Sequence, residues 1–323
     1  MSFLEIHGTG PMTTVQDLGR KGLQHAGVSG AGPMDGPSFR IANALVGNPA
    51  TSAALEFAAV GGRFTVTRPV RFAVTGGDVD VSIDGSKVHP WESHHLLPGM
   101  TLAIDALRDC VWGYLAISGG IDTVPVLGSR STHLRTGLGG YEGRRLEIGD
   151  RLPLGDAAPL PNLALRQPFR RSGGPIRVIC GPQDDYFSNA AVETFLEASF
   201  VVSAARDRMA QMLDGPPIAA DGGHDIVSDG TSAGSIQVPS SGRLIVLMAE
   251  RQTTGGYPKI ATVASVDLPR LAQAVSGRSI RFARIAQEQA EELLVAERHL
   301  LGGILDNLAV KPESSDRSGG RVS

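Results

Sequence analysis

The sequence predicts a mainly β protein with few helices, on three observations. Glycine (41) and proline (20) are frequent among the 323 residues and fall between short apolar runs. Glycine supplies positive φ and proline cannot sit in a central ladder, so both punctuate strands. Next, residues 54–88 divide into apolar segments at 55–60, 63–67, 70–75 and 79–83, separated by Gly61-Gly62, Arg68-Pro69 and Gly76-Gly77. Finally, apolar and polar residues alternate strictly through Asp78-Val79-Asp80-Val81-Ser82-Ile83-Asp84, as in a strand with one buried and one wet face. Those aspartates lack the ligand spacing and central glycine of a calcium loop.

Helices are expected at four places. Residues 37–46 have Asp35 or Gly36 as cap, Pro37 in the first turn and Gly47 just past the end. A second helix follows Asn189 over 190–198, and Asp267 precedes a short one reaching 275. Over 286–301 an apolar stripe of Ala290, Leu293, Leu294, Leu300 and Leu301 predicts a helix packed on its own domain. The prolines at 159, 161 and 168 and the run Arg170-Arg171-Ser172-Gly173-Gly174 mark a linker. The expected organisation is an N-terminal unit over 1–155, a linker over 156–174, a C-terminal unit over 175–286, a helix over 287–310 and a disordered tail over 311–323.

With a net charge of −3, 41% hydrophobic and 20% charged residues, the chain does not read as a nucleic-acid binder. Its first residues, Met1-Ser2-Phe3-Leu4-Glu5-Ile6-His7, carry no basic and apolar leader, and no apolar run approaches the ~20 residues of a membrane span. A soluble, cytoplasmic protein without membrane partners is expected. Cys110 and Cys180 lie in apolar segments and read as buried structural thiols.

Several familiar chemistries are absent. No glycine-rich turn ends in Gly-Lys-Ser or Gly-Lys-Thr, and no dinucleotide fingerprint lies between a strand and a helix. Gly230-Thr231-Ser232-Ala233-Gly234 has the letters of a nucleophile elbow, but a strand pattern stopped by Pro239 follows it where a helix is needed. His89, His94 and His95 lack the spacing of a metal site, so no metal is expected. Two features point toward a site. Glu56 sits inside the apolar run Ala54-Leu55-Glu56-Phe57-Ala58, where a carboxylate must be paired, exposed or functional. Arg251-Gln252-Thr253-Thr254-Gly255-Gly256-Tyr257-Pro258-Lys259 places a guanidinium, an amide, two hydroxyls, a phenol and an ammonium around two glycines between apolar strands. That is a donor set for a carboxylate, carbonyl or phosphate.

Val15-Gln16-Asp17-Leu18-Gly19-Arg20, Gly32-Pro33-Met34-Asp35 with Ala42-Asn43, and residues 251–259 together resemble the carboxyltransferase subdomain A and B family. The resemblance continues through Gly119-Gly120-Ile121-Asp122, Leu127-Gly128-Ser129-Arg130-Ser131-Thr132, Gly139-Gly140-Tyr141-Glu142-Gly143-Arg144 and Gly181-Pro182-Gln183. Members include the C-type subunit of 5-oxoprolinase (also called allophanate hydrolase subunit 2), part of urea carboxylase and an antagonist of a bacterial kinase inhibitor. The resemblance implies two cyclophilin-like β-barrel subdomains and an enzyme subunit that works in a complex. The partner would be the B-type 5-oxoprolinase subunit (allophanate hydrolase subunit 1), and an A-type subunit would be a further component. Three functions follow from it: ATP-dependent opening of a small amide such as 5-oxoproline, biotin-dependent carboxyl transfer to a urea-like nitrogen, and non-catalytic binding of a kinase-inhibitor protein. ATP would be bound by the complex, and biotin would arrive on a separate carrier. The catalytic candidates are Arg251, Lys259, Tyr257 and Asp35, with the charges of Arg251 and Lys259 facing solvent. Gln252, Thr253, Thr254, Gly255, Gly256, Asn43, Glu56, Asp17 and Arg20 are the substrate-binding candidates. In Ala205-Arg206-Asp207-Arg208-Met209-Ala210-Gln211-Met212 only Asp207, Arg208 and Met209 keep the family pattern, so no substrate contact is assigned there.

Overall fold

The structure, a computed structural model, describes residues 1–311. Of the expected tail, residues 312–323 lie outside the described residues. Two antiparallel sheets come from the first half of the chain. One has six strands in the order Arg151–Leu154, Ser2–Thr9, Val60–Val66, Leu102–Arg108, Asp78–Ile83, Ser86–Val88. The other has five, in the order Thr14–Gln16, Ala54–Ala58, Trp112–Ile117, Val70–Thr75, Ser93–Leu96. Their facing sides share a core that includes Leu4, Phe64 and Leu102 from the first and Phe57, Phe72 and Leu115 from the second. The five-stranded sheet is covered on its other face as well, by helix α1 (Gly36–Leu45). Double coverage explains why Val70–Thr75 and Trp112–Ile117 are buried at every position, whereas the alternating strand Asp78–Ile83 is not.

The eight strands of the third sheet fall within residues 176–284. Its edge strands, Ser279–Ile280 and Phe282–Arg284, are separated only by Arg281. One pairs with Phe200–Arg206 and the other runs parallel to Ile176–Cys180, so a bend at a single residue brings the sheet nearly closed into a barrel. Inside, Phe195 of α2 (Asn189–Glu197) stacks on Phe282 at 4.7 Å between ring centres.

Helix α3 (Leu268–Gln273) closes one side of this barrel, and α4 (Gln287–Asp306) follows it. Here the expectation of packing on one domain needs correction. Ala290, Leu293 and Leu294 pack on Val266 and Ile179 of the C-terminal half, while Leu301, Ile304 and Leu305 join the α1 cluster of the N-terminal half. Leu300, expected in the buried stripe, is 64% exposed because the helix serves two surfaces rather than one. The linker is pinned too: Arg71 donates to Leu160 O at 2.9 Å and Ala158 O at 3.1 Å, and Leu163–Ala164 pairs with Ala309–Val310. Cys110 and Cys180 are free thiols, each half-buried rather than fully buried.

Candidate functional site

The seam between the halves begins with Glu56. Along Ala54–Ala58, Leu55 and Phe57 turn into the sandwich core, so the pleat sends Glu56 to the opposite face. There its Oε2 accepts from Met34 N (2.7 Å) and from the Tyr114 hydroxyl (2.8 Å), and its Oε1 pairs with the Arg208 guanidinium. Arg208 comes from the hairpin turn before Ala210–Asp214 and also donates to Glu250 Oε1 (2.5 Å) and Gly32 O (2.7 Å). Glu250 in turn accepts from Leu134 N at 3.0 Å. All three charged groups are buried. Burial works against the Arg208 cation, but the two carboxylates overcome it and hold the group charged. Burial likewise keeps the Tyr114 phenol well above its ordinary range, as a donor to Glu56. Arg208, in a segment whose departures from the family pattern left it without an assigned substrate contact, is the centre of the seam. The signal that could have found it was Glu56, a buried carboxylate that required a cationic partner somewhere.

Beside this knot, Asp35 caps α1, accepting from Ser38 N (3.3 Å) and Ser38 Oγ (2.7 Å). Its Oδ2 also takes Gln273 Nε2 of α3 at 2.8 Å and pairs with Arg171 of the linker. Asn43 bonds Ser52 O and Asn48 Nδ2. Asp17 accepts from Ser129, Ser131, Arg130 N and Gly19 N; these bonds outweigh burial and hold its carboxyl below the ordinary range. Arg20 donates to Val126 O at 3.2 Å. Each of these side chains ties separate stretches of the chain together.

An open space lies next to the knot. A cavity of about 470 Å³ is walled by Met34, Pro37 and Arg40 from the α1 region, by Met248, Arg251 and Leu268 from the C-terminal half, and by Leu294, Glu297 and Arg298 of α4. Arg251 alone, of the expected site residues, lines it. Its side chain makes one long bond, Nε to Thr231 O at 3.4 Å, and burial pulls its pKa below the ordinary value. Arg251 is therefore partly desolvated and lightly bound, able to take an anion.

The rest of the 251–259 segment behaves differently. Thr254–Gly255 forms a short ladder with Asp229–Gly230, Thr253 O accepts from Thr231 N at 3.0 Å, and the Gln252 amide donates to Gln237 at 3.1 Å. Gly256 O accepts from Ile226 N. Tyr257 is 40% exposed. Lys259 does not face solvent as expected. It is the first residue of Lys259–Val263, opposite Gln237, and only 1% exposed, with Nζ 3.0 Å from Asp229. That ammonium holds the Asp229 carboxyl below its ordinary range. Arg251 and Lys259 thus flank the same 229–231 strand segment without meeting at one point. Ser232 is followed by the strand Ser235–Gln237, the wrong context for a nucleophile.

Fold and seam define a mainly β, two-part scaffold with an arginine-lined cavity between its parts, one wall of which is helix α4. The chain belongs to the family described as the carboxyltransferase domain, subdomain A and B, whose profile matches residues 26–284. It is 38% identical over 289 residues to the C subunit of 5-oxoprolinase from Escherichia coli (strain K12), spanning 89% of this chain and 93% of that one. It is 32% identical over 318 residues to the urea amidolyase of Lachancea kluyveri, spanning 90% of this chain but 17% of that protein. The urea carboxylase structure from Kluyveromyces lactis superposes with a TM-score of 0.87 at 28% identity, over 97% of this chain and 30% of that one. Among the described residues no helix is long and apolar enough to cross a membrane.

Proposed function

We propose that this chain is the C-type subunit of a 5-oxoprolinase, a heteromeric enzyme that opens a small cyclic amide with the help of ATP. One observation carries the reading: the likeness to the C subunit of a 5-oxoprolinase extends over nearly the whole of both chains, whereas the urea amidolyase likeness covers a small part of a much longer protein. The seam cavity supports it. Its volume suits a small ligand, its walls offer Met34, Met248 and Leu268 to ring carbons, and Arg40, Arg251 and Arg298 offer donors to a carboxylate. Arg251 holds the substrate and stabilises charge developing on it. Lys259, through Asp229, keeps the Arg251 loop in place, and the exposed Tyr257 faces a B-type partner. ATP binds elsewhere in the assembled enzyme.

The test is co-expression with B-type and A-type subunits, size-exclusion chromatography, and an assay of ATP-dependent glutamate release from 5-oxoproline. Co-elution and turnover are expected, with Arg251→Ala lowering kcat by about 10²–10³. Separate elution at micromolar concentration, or no release, would sink the reading. Carboxylation of a urea-like nitrogen by carboxybiotin on a carrier protein would replace it with the second reading, which the urea carboxylase superposition favours.

A further inference from the structure

The bend that closes the third sheet carries more positive charge than closure needs. Arg281 is the single residue between the two edge strands, and Arg278 directly precedes them. Their backbones are fixed, since Arg281 O accepts from Ile176 N at 2.8 Å and Arg278 O from Val202 N at 2.9 Å. Their side chains are exposed and, among the described residues, form no hydrogen bond or ion pair. Both line a cleft of about 780 Å³ that shares no residue with the seam cavity. With Arg171 of the linker and Arg270 of α3, four guanidinium groups line it against one carboxylate, Asp109. Arg270 is engaged by Asp267 and by the carbonyls of Gly174 (2.6 Å) and Pro175 (3.3 Å), which holds the end of the linker to α3. Arg171 pairs with Asp35, yet its Nε is enclosed without a hydrogen-bond partner. Ser172, Gly173 and Gly174 line the cleft too, with backbone N–H groups that donate to nothing among the described residues. A Cβ at either glycine would meet no atom within 4 Å, so the backbone there is open to a ligand. The hydroxyls of Ser199 and Ser279, 2.6 Å apart, add two more donors.

Guanidinium groups, hydroxyls and the N–H groups of a glycine turn are the donors that phosphoryl oxygens take. A lone carboxylate can occupy one guanidinium; two unpaired ones in a single cleft suit a ligand charged at several points. The cleft has the volume of a small-molecule site, and the chain's net charge of −3 argues against a nucleic-acid surface. We propose that this cleft binds the oligophosphate chain of a nucleotide, with Arg278 and Arg281 as its principal contacts. The chain has no glycine-rich turn ending in lysine and serine or threonine, so arginines take the part that such a turn plays elsewhere. The proposal goes beyond the oxoprolinase reading, which requires ATP away from the seam cavity without assigning a surface to it.

The experiment is calorimetry on the full chain with ATP, tripolyphosphate and orthophosphate, at physiological ionic strength so that diffuse attraction is screened. ATP and tripolyphosphate should compete for one site, and orthophosphate should bind at least about tenfold more weakly. Arg278→Ala and Arg281→Ala should each weaken ATP binding by about tenfold, with thermal melts showing that both variants are folded. Lys87→Ala removes an exposed charge from the first sheet and should leave binding unchanged. No binding of ATP at millimolar concentration, binding untouched by both arginine substitutions, an equal loss in Lys87→Ala, or orthophosphate as tight as ATP each overturns the proposal. None of these results touches the oxoprolinase reading, because another subunit can hold ATP. Conversely, a wild-type complex that releases no glutamate overturns that reading and leaves this site standing, since its occupancy is measured without turnover.

Discussion

Two guanidinium groups, Arg208 and Arg251, occupy neighbouring parts of the same seam and do opposite things. Arg208 is sealed: two carboxylates and a backbone carbonyl take its donors, and its side chain is only 1% exposed. Arg251 is partly desolvated yet holds a single long bond and faces a cavity. A buried charge with a partner at every nitrogen fixes geometry, because any movement breaks a pair that water cannot repair. A charge with spare donors beside an empty space is poised to bind. The difference lies in partners, not in residue type.

Substitutions can separate the two roles. The largest effect is expected at the knot: Arg208→Ala leaves Glu56 and Glu250 buried without a counter-charge and should destabilise the protein by about 3–5 kcal/mol. Urea denaturation would show it, and a loss comparable to that of Arg251→Ala, expected to stay within about 0.5 kcal/mol, would erase the distinction.

Asp267 provides a second sealed site to sharpen the contrast. It takes Arg177 N, Nε and Nη2 and Arg270 Nη1, all within 2.8 Å. Burial alone would raise its carboxyl, but these donors hold it below the ordinary 3.8. A carboxyl lowered in the folded state contributes stability above its unfolded value and loses it as pH falls from 3.8 through the folded value. Asp267→Asn should therefore cost about 2 kcal/mol near neutrality and flatten the fall in melting temperature below about pH 4. An acid limb as steep as that of the wild type would show that other groups dominate it.

Lys259 lies between the two cases, with a buried ammonium paired to an exposed carboxylate. Lys259→Ala should lose about 1 kcal/mol of stability and a part of the activity, through the loop that carries Arg251. An inactive but fully stable variant would instead make Lys259 a direct participant in the chemistry. The smallest effect belongs to Ser232→Ala, expected to change turnover by less than about twofold in the reconstituted complex. A large drop in kcat with an intact fold would reveal a nucleophile.

Much of the fold was legible because it rests on local rules. The strands over residues 54–83 follow from alternation and turn residues, and α1 from its cap, its proline and the glycine beyond. The Glu56 side chain announced itself as a charge in an apolar run. Its partner did not, because Arg208 lies 152 positions away and only the closing of the third sheet against the first two brings them together. The 251–259 segment read correctly as polar and glycine-rich, but polarity does not say where each group points. Register against Gln237 drew Lys259 into the sheet, and a two-residue ladder took up the backbone of Thr254 and Gly255. Likewise a single apolar stripe could not reveal that α4 spans two surfaces, so Leu300 was assigned to the wrong side.

The attachment of α4 to α1 has a consequence for how the chain is made. Translation delivers α1 early and α4 much later, so the part of the α1 cluster that Leu301, Ile304 and Leu305 complete waits while the residues between are synthesised. Ala309 and Val310 then fasten to the linker at Leu163 and Ala164. The N-terminal half can seat α1 on its own sheet as it emerges, but the patch that Leu301, Ile304 and Leu305 cover stays open until α4 is made.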